Sequence, residues 1–283
     1  MKRLLTFSLS LATLAQVASC KKTKWEYDES NAPRTNAIVE NAFAEMANMS
    51  DQAYNGGTFV YGIGEPIIRY QYKHTVTVAE KADCNVIITI DTVGSQDTIT
   101  IDWGNTNCTC NDQKQRRGKL IISYNGSYYN PGTIIRYTPV NYYVNNHKVE
   151  GLMTVENMGA NGQGQPYYNV DINGVVTLTT GEIATYVSSQ VRTFTNGYNT
   201  QLWIYDDEWD VTGTATAQVV NGDGYVANIT SPLHVKVGCP YITKGTLEIT
   251  PSGNSMRKID YGSGTCDGTF TIEINGHTYT INI

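Results

Sequence analysis

The chain predicts an all-β protein built from successive antiparallel hairpins. Three observations predict it. From residue 58 onward the apolar positions recur at every second residue, and β-branched residues and tyrosine dominate them. Asn-Gly or Asp-Gly pairs punctuate these runs at 125–126, 173–174, 221–222, 223–224 and 275–276. Such pairs accept the positive φ that tight hairpin turns demand. Only one stretch, 35–53, has helical spacing. The expected arrangement is a large antiparallel meander, packed as a sandwich or an elongated curved sheet of repeated hairpins. One N-terminal helix covers an end or edge, and a closed barrel is the alternative.

The chain divides into four parts. Residues 1–19 carry Lys2 and Arg3 before an apolar run of 14 residues. That run is shorter than the ~20 residues a membrane-spanning helix needs, and it reads as a signal peptide. Val17-Ala18-Ser19-Cys20 closes it. This resembles the lipobox of bacterial lipoproteins, where small residues flank the cleaved bond and a cysteine thiol takes the diacylglyceryl group. The resemblance makes Cys20 the lipidated first residue and leaves a mature chain of 264 residues. It implies a membrane tether through acyl chains. Lys21-Lys22 follow Cys20 in place of the aspartate that retains many lipoproteins in the inner membrane, which implies an outer-membrane address. The acidic pair common in surface-displayed lipoproteins of Bacteroidota is also missing, so the side of the membrane stays open.

Residues 20–34 are polar and read as a tether, and 35–55 hold the helix. Ile38, Val39, Ala42, Phe43, Met46, Met49 and Ala53 form its apolar stripe, expected to pack on the β domain. Glu40, Glu45 and Asp51 mark its polar face. Asn31 or Thr35 is a candidate cap, and Gly56-Gly57 the stop. The β domain takes residues 58–283, with strands read at 68–78, 86–93, 98–103, 119–124, 175–179, 225–229 and 270–274.

A repeat lies within it. Ile101-Asp102-Trp103-Gly104 and Cys108 return as Ile259-Asp260-Tyr261-Gly262 and Cys266. After each comes a strand opened by Gly118 or Gly268 and closed by Asn-Gly. Residues near 84–128 and 239–280 therefore read as two copies of one module. Asp102 and Asp260 read as turn residues whose carboxylates cap backbone N–H groups. Glycines at 118, 151, 181, 213, 245 and 276, spaced by 30–33 residues, suggest hairpin units laid side by side. The repeat, the Gly-Thr strand openings and Asp206-Asp207 together resemble a group of all-β lipoproteins of Bacteroidota over residues 84–283. The group brings no assigned activity or site residues.

The formal net charge is −6, and loss of Lys2 and Arg3 takes it to −8. That sign argues against nucleic acid as a partner. In an oxidising compartment Cys84, Cys108, Cys110, Cys239 and Cys266 are disulfide candidates. The two modules suggest Cys84–Cys108 and Cys239–Cys266, with Cys110 left over or replacing Cys108. No zinc spacing is present, and no metal or cofactor is expected. His74, His147, His234 and His277 read as isolated strand histidines.

The densest acidic run is Asp206-Asp207-Glu208-Trp209-Asp210, preceded by Trp203 and Tyr205. Trp203, Tyr205, Asp206, Asp207, Glu208 and Trp209 are the candidate ligand residues. Aromatic rings beside carboxylates suit sugars, while a solvated hairpin tip explains the same residues without a ligand. Three functions follow: a non-enzymatic envelope lipoprotein that binds a partner or has a structural role, a glycan-binding surface lipoprotein, and a hydrolase with scattered residues.

Overall fold

The computed structural model describes residues 31–54, 73–81, 84–93, 96–110, 113–200, 206–237, 239 and 241–282. Helix α1 (Ala32–Tyr54) comes first. It takes residues 32–34 from the stretch expected as tether. Pro33 sits in its first turn, where a missing N–H is harmless. The Asn31 carbonyl accepts from Thr35 N at 2.8 Å.

The rest is strand. In order they are β1 (Lys73–Lys81), β2 (Cys84–Asp91), β3 (Asp97–Asp102), β4 (Cys108–Thr109), β5 (Gln115–Tyr124), β6 (Ile134–Val144), β7 (His147–Ala160) and β8 (Pro166–Thr177). Then follow β9 (Ile183–Asn196), β10 (Glu208–Val220), β11 (Tyr225–Lys236), β12 (Lys244–Pro251), β13 (Arg257–Ser263), β14 (Thr269–Ile274) and β15 (His277–Asn282). Every strand expected from the sequence is present, with 68–72 of the first outside the described residues. All described pairings are antiparallel, and neighbours in the sheet are neighbours in sequence. The short β4 alone leaves this path, pairing with β5. One open sheet results, with β1 and β15 at its ends.

The inner face of the sheet is apolar and the outer face is solvated, so most strands alternate buried and exposed residues. Val149, Val170, Val176, Ala184 and Tyr186 are among the fully buried inner residues. The helix lies against this inner face and meets β3, β6, β9 and β12, rather than capping an end or an edge. Val39, Phe43 and Met46 of the expected stripe are wholly buried. Glu40 and Glu45, expected on the polar face, also turn into the protein. Five residues of helix separate them by about 140° around the axis, yet each meets a strand. The sheet must therefore curl around the helix. Only Arg34, Ala37 and Asn41 form an exposed stripe on its first half.

Glycine permits that curl. Gly118 (φ 88°) and Gly245 (φ 108°) stand inside β5 and β12 at shifts in register. A Cβ on Gly118 would lie 2.0 Å from the Asn141 carbonyl oxygen, and one on Gly245 2.1 Å from that of Pro232. These are bulges that bend and twist a strand. Gly151 and Gly213 hold like positions in β7 and β10. Four of the six rhythmic glycines thus lie within strands, while Gly181 and Gly276 lie in turns. The period of about 32 residues is one up-and-down pair of long strands.

Asn173-Gly174, expected as a turn, lies in the middle of β8 opposite Leu152 and Gly151. The reason is the helix. A Cβ on Gly174 would sit 2.2 Å from the Phe43 ring, so glycine here gives the ring room. The turn after β8 falls instead at 178–181, where Gly181 N–H donates to the Leu178 carbonyl at 3.0 Å, and Asn145 and Asn146, at φ 47° and 64°, make the β6–β7 turn.

Both copies of the repeated motif build the same turn. Asp102 Oδ1 accepts from Gly104 N at 2.9 Å, and Asp260 Oδ1 accepts from Gly262 N at 2.9 Å. Their registers differ: Asp102 stands opposite Lys119, which it ion-pairs at 2.8 Å, and Asp260 stands opposite Thr271. Cys239 and Cys266 are disulfide-bonded with Cα atoms 6.0 Å apart. Cys108 is also in a disulfide, and the Cys84 side chain lies outside the described residues. Cys110 keeps a buried thiol, which donates to the Cys108 carbonyl at 3.8 Å.

Candidate functional site

The acidic run divides by the alternation of β10. Trp209 turns inward and meets Phe194 with ring centroids 6.0 Å apart. Glu208 and Asp210 turn outward. Antiparallel pairing sets Asp210 opposite His234 and Glu208 opposite Lys236 of β11. Asp210 Oδ1 lies 2.9 Å from His234 Nδ1, Glu208 Oε1 lies 2.8 Å from Lys236 Nζ, and Glu208 Oε2 lies 3.6 Å from His234 Nε2. His234, expected as an isolated strand histidine, is thus held between two carboxylates. Each carboxylate is also committed to a partner on the neighbouring strand.

Glu208, His234 and Lys236 open onto a cleft of about 450 Å³ on the outer face, shared with Thr243, Lys244, Ser263 and the Cys266 end of the disulfide. Lys244 stands opposite His234 on one side and Ser263 on the other. Thr243 bonds back to the His234 carbonyl through its N–H at 3.1 Å. The arrangement offers carboxylate, imidazole, ammonium and hydroxyl groups side by side, a set suited to a polar ligand with several hydroxyls.

The first half of the acidic run is a loop fastening. Asp206 accepts from the Thr200 hydroxyl at 2.9 and 2.8 Å. Burial, and then the Asp206 charge, push the Asp207 carboxyl up to about 6. Trp203 and Tyr205 lie outside the described residues.

The tyrosines nearby serve the core. Tyr128 stacks on Tyr168 at 4.6 Å, and Phe194 meets Tyr168 at 5.9 Å and Tyr198 at 5.4 Å. The Tyr168 hydroxyl donates to the Tyr128 carbonyl at 3.1 Å, and the Tyr198 hydroxyl to that of Tyr129 at 3.0 Å. These bonds close the loop end of the sheet over its core. The rings are therefore held in place by the fold itself, and only the half-exposed ones keep a free side.

A smaller cavity of about 180 Å³ lies where the helix starts, lined by Arg34, Thr35, His147, Thr180 and Glu182 among others. Burial and the nearby Arg34 hold His147 below its ordinary value. Among the described residues no group of three or more His, Cys, Asp or Glu side chains is placed to hold a metal ion.

No protein-family model matches the chain, and neither a curated protein nor a solved structure is detectably similar to it. The geometry therefore stands on its own.

Counting outward from the Asn221-Gly222 turn brings Asp210 close to His234. The alternation of Glu208 and Asp210 on one strand, and of His234 and Lys236 on the next, was the available signal for the outer-face cluster. Lys244 and Ser263 carry no such mark. Bulged pairing brings them in.

Proposed function

We propose that this chain is a lipid-anchored protein of the bacterial outer membrane that acts by binding through the outer face of its sheet. The observation that carries this reading is Val17-Ala18-Ser19-Cys20 after a short basic and apolar leader. Acyl chains on Cys20 would hold the protein at a membrane without crossing it. Among the described residues no helix is long and apolar enough to cross a membrane. The helix starts at Ala32, so the link to Cys20 spans at most ~40 Å when fully extended. The β domain is thereby kept within reach of its membrane.

A specific observation favours a glycan as the ligand: the hydroxyl, carboxylate, imidazole and ammonium groups gathered around the outer cleft. The aromatic residues do less for that reading than their number suggests, because the Tyr128–Tyr168–Phe194 group faces the core.

Labelled palmitate tests the anchor. Incorporation should be lost in Cys20→Ala, and that variant should leave the membrane fraction. Retention of label by the variant overturns the anchor. Mild proteinase treatment of intact cells then assigns the side: cleavage means the cell surface, and cleavage only after permeabilisation means the periplasm, which would remove exogenous glycans as ligands.

A further inference from the structure

Six strands align one residue each into a row on the outer face. Tyr167 of β8 stands opposite Thr193 of β9, Thr193 opposite Asp210, Asp210 opposite His234, His234 opposite Lys244, and Lys244 opposite Ser263. The residues beside them in sequence, such as Tyr168, Phe194, Leu233 and Gly245, are buried on the inner face. At a strand spacing of ~4.8 Å the row is ~24 Å long. That spacing is close to the advance per sugar of an extended polysaccharide.

Lys244 distinguishes the row. Lys236 is paired with Glu208 at 2.8 Å and His234 with Asp210 at 2.9 Å. Lys244 is exposed and has no carboxylate partner among the described residues. It stands on a protein of net charge −6, at the edge of the cleft that Ser263, Thr243 and His234 also line. A ligand carboxylate placed on this ammonium would gain a charge-assisted bond without displacing an existing one. Hydroxyls of the same ligand would find Thr193, Asp210 and Ser263 at successive strand steps. Tyr167, half-buried at the far end, offers a ring to a sugar face.

We propose that this row binds an extended acidic polysaccharide, a chain of uronic-acid type, across strands β8 to β13 with a carboxylate on Lys244. The proposal rests on the glycan-binding reading and names the ligand class for it. The cleft, at about 450 Å³, falls within the size range of small-ligand sites.

The test is thermophoretic titration of the purified full-length chain with three probes: a galacturonate hexamer, neutral cellohexaose, and polyaspartate of similar charge. Lys244→Ala is compared with Lys258→Ala, which removes an equal charge from β13 outside the row. The expected result is binding of the galacturonate hexamer, weakened about tenfold by Lys244→Ala and little changed by Lys258→Ala. Neither cellohexaose nor polyaspartate should compete. Equal binding of cellohexaose, unaffected by Lys244→Ala, overturns the acidic ligand and leaves the glycan reading standing. Equal binding of polyaspartate overturns the proposal in favour of charge alone. No binding of either saccharide overturns both. Lys244 is exposed, so its variant should keep the melting temperature of the parent, and an unchanged melt qualifies the comparison.

Discussion

Helix α1 carries two carboxylates into the curl of the sheet, and the sheet answers them differently. Glu45 meets cations. Arg116 Nη2, on a side chain 1% exposed, bonds Glu45 Oε2 at 3.0 Å, and Lys114 pairs with the other oxygen. Glu40 meets neutral donors. The Tyr186 hydroxyl and Gln190 Nε2 donate to it, the latter at 3.1 and 3.2 Å, while Arg192 acts only through its charge. Part of the Glu40 residue reaches the surface, but its carboxylate is enclosed. Burial pushes that carboxyl above its ordinary 4.5, against the pull of Tyr186, Gln190 and Arg192. Burial, with the Glu40 charge second, also raises the Tyr186 and Tyr225 phenols. The Tyr225 hydroxyl and the Asn36 amide oxygen are buried without hydrogen-bond partners. One side of the helix is thus seated by ion pairs, and the other by a polar group short of charge. Enclosing a carboxylate is costly in either case, and only the first side supplies opposite charge directly.

The two sides of the helix differ most at Arg116. Arg116→Ala leaves Glu45 enclosed with only Lys114, and should destabilise the fold by about 3–5 kcal/mol, read by urea unfolding. A loss under ~1 kcal/mol would mean that Lys114 alone suffices to seat Glu45.

Tyr186→Phe comes next. It removes the donor nearest the Glu40 charge and should cost about 1.5–3 kcal/mol at neutral pH. The cost should shrink in acid, where Glu40 is protonated. A cost that ignores pH would show that the hydroxyl serves packing instead.

Glu40→Gln sharpens the contrast through pH. The folded carboxyl titrates above its unfolded value of 4.5, so the folded state holds the proton more tightly. The stability this provides is complete below that value and is lost as pH rises through the folded value. Glu40→Gln should remove this loss. Melting temperatures of parent and variant should therefore draw apart as pH rises from 4 to 8, with the variant gaining. Parallel curves would place the carboxylate in water.

Lys114→Ala should do least. Its side chain is 38% exposed, and such pairs contribute only ~0.2–1 kcal/mol. Added salt should erase that difference while leaving the Arg116→Ala loss nearly intact.

Local pattern told much of this in advance. The period of two marked the strands, because each alternates between a wet and a dry face. The apolar stripe marked the helix. The Asp-x-Gly pairs at 102–104 and 260–262 marked turns that depend only on a carboxylate and an N–H two residues on. The outer-face cluster was half legible. The acidic run drew attention, but Asp206 fastens a loop and Trp209 belongs to the core.

What the sequence alone determined is therefore the local part: an antiparallel meander, a helix and the turn chemistry. Each follows from contacts within a few residues or from a period in the chain. Tertiary structure decided the rest. It set Gly174 in a strand because Phe43 needed the space, and it enclosed Glu40 and Glu45 because bulges at Gly118 and Gly245 help the sheet curl around their helix. It also placed His234 between Asp210 and Glu208, and set Lys244 beside it. Those outcomes depend on register and curvature summed over many strands, and no window of the sequence contains that sum.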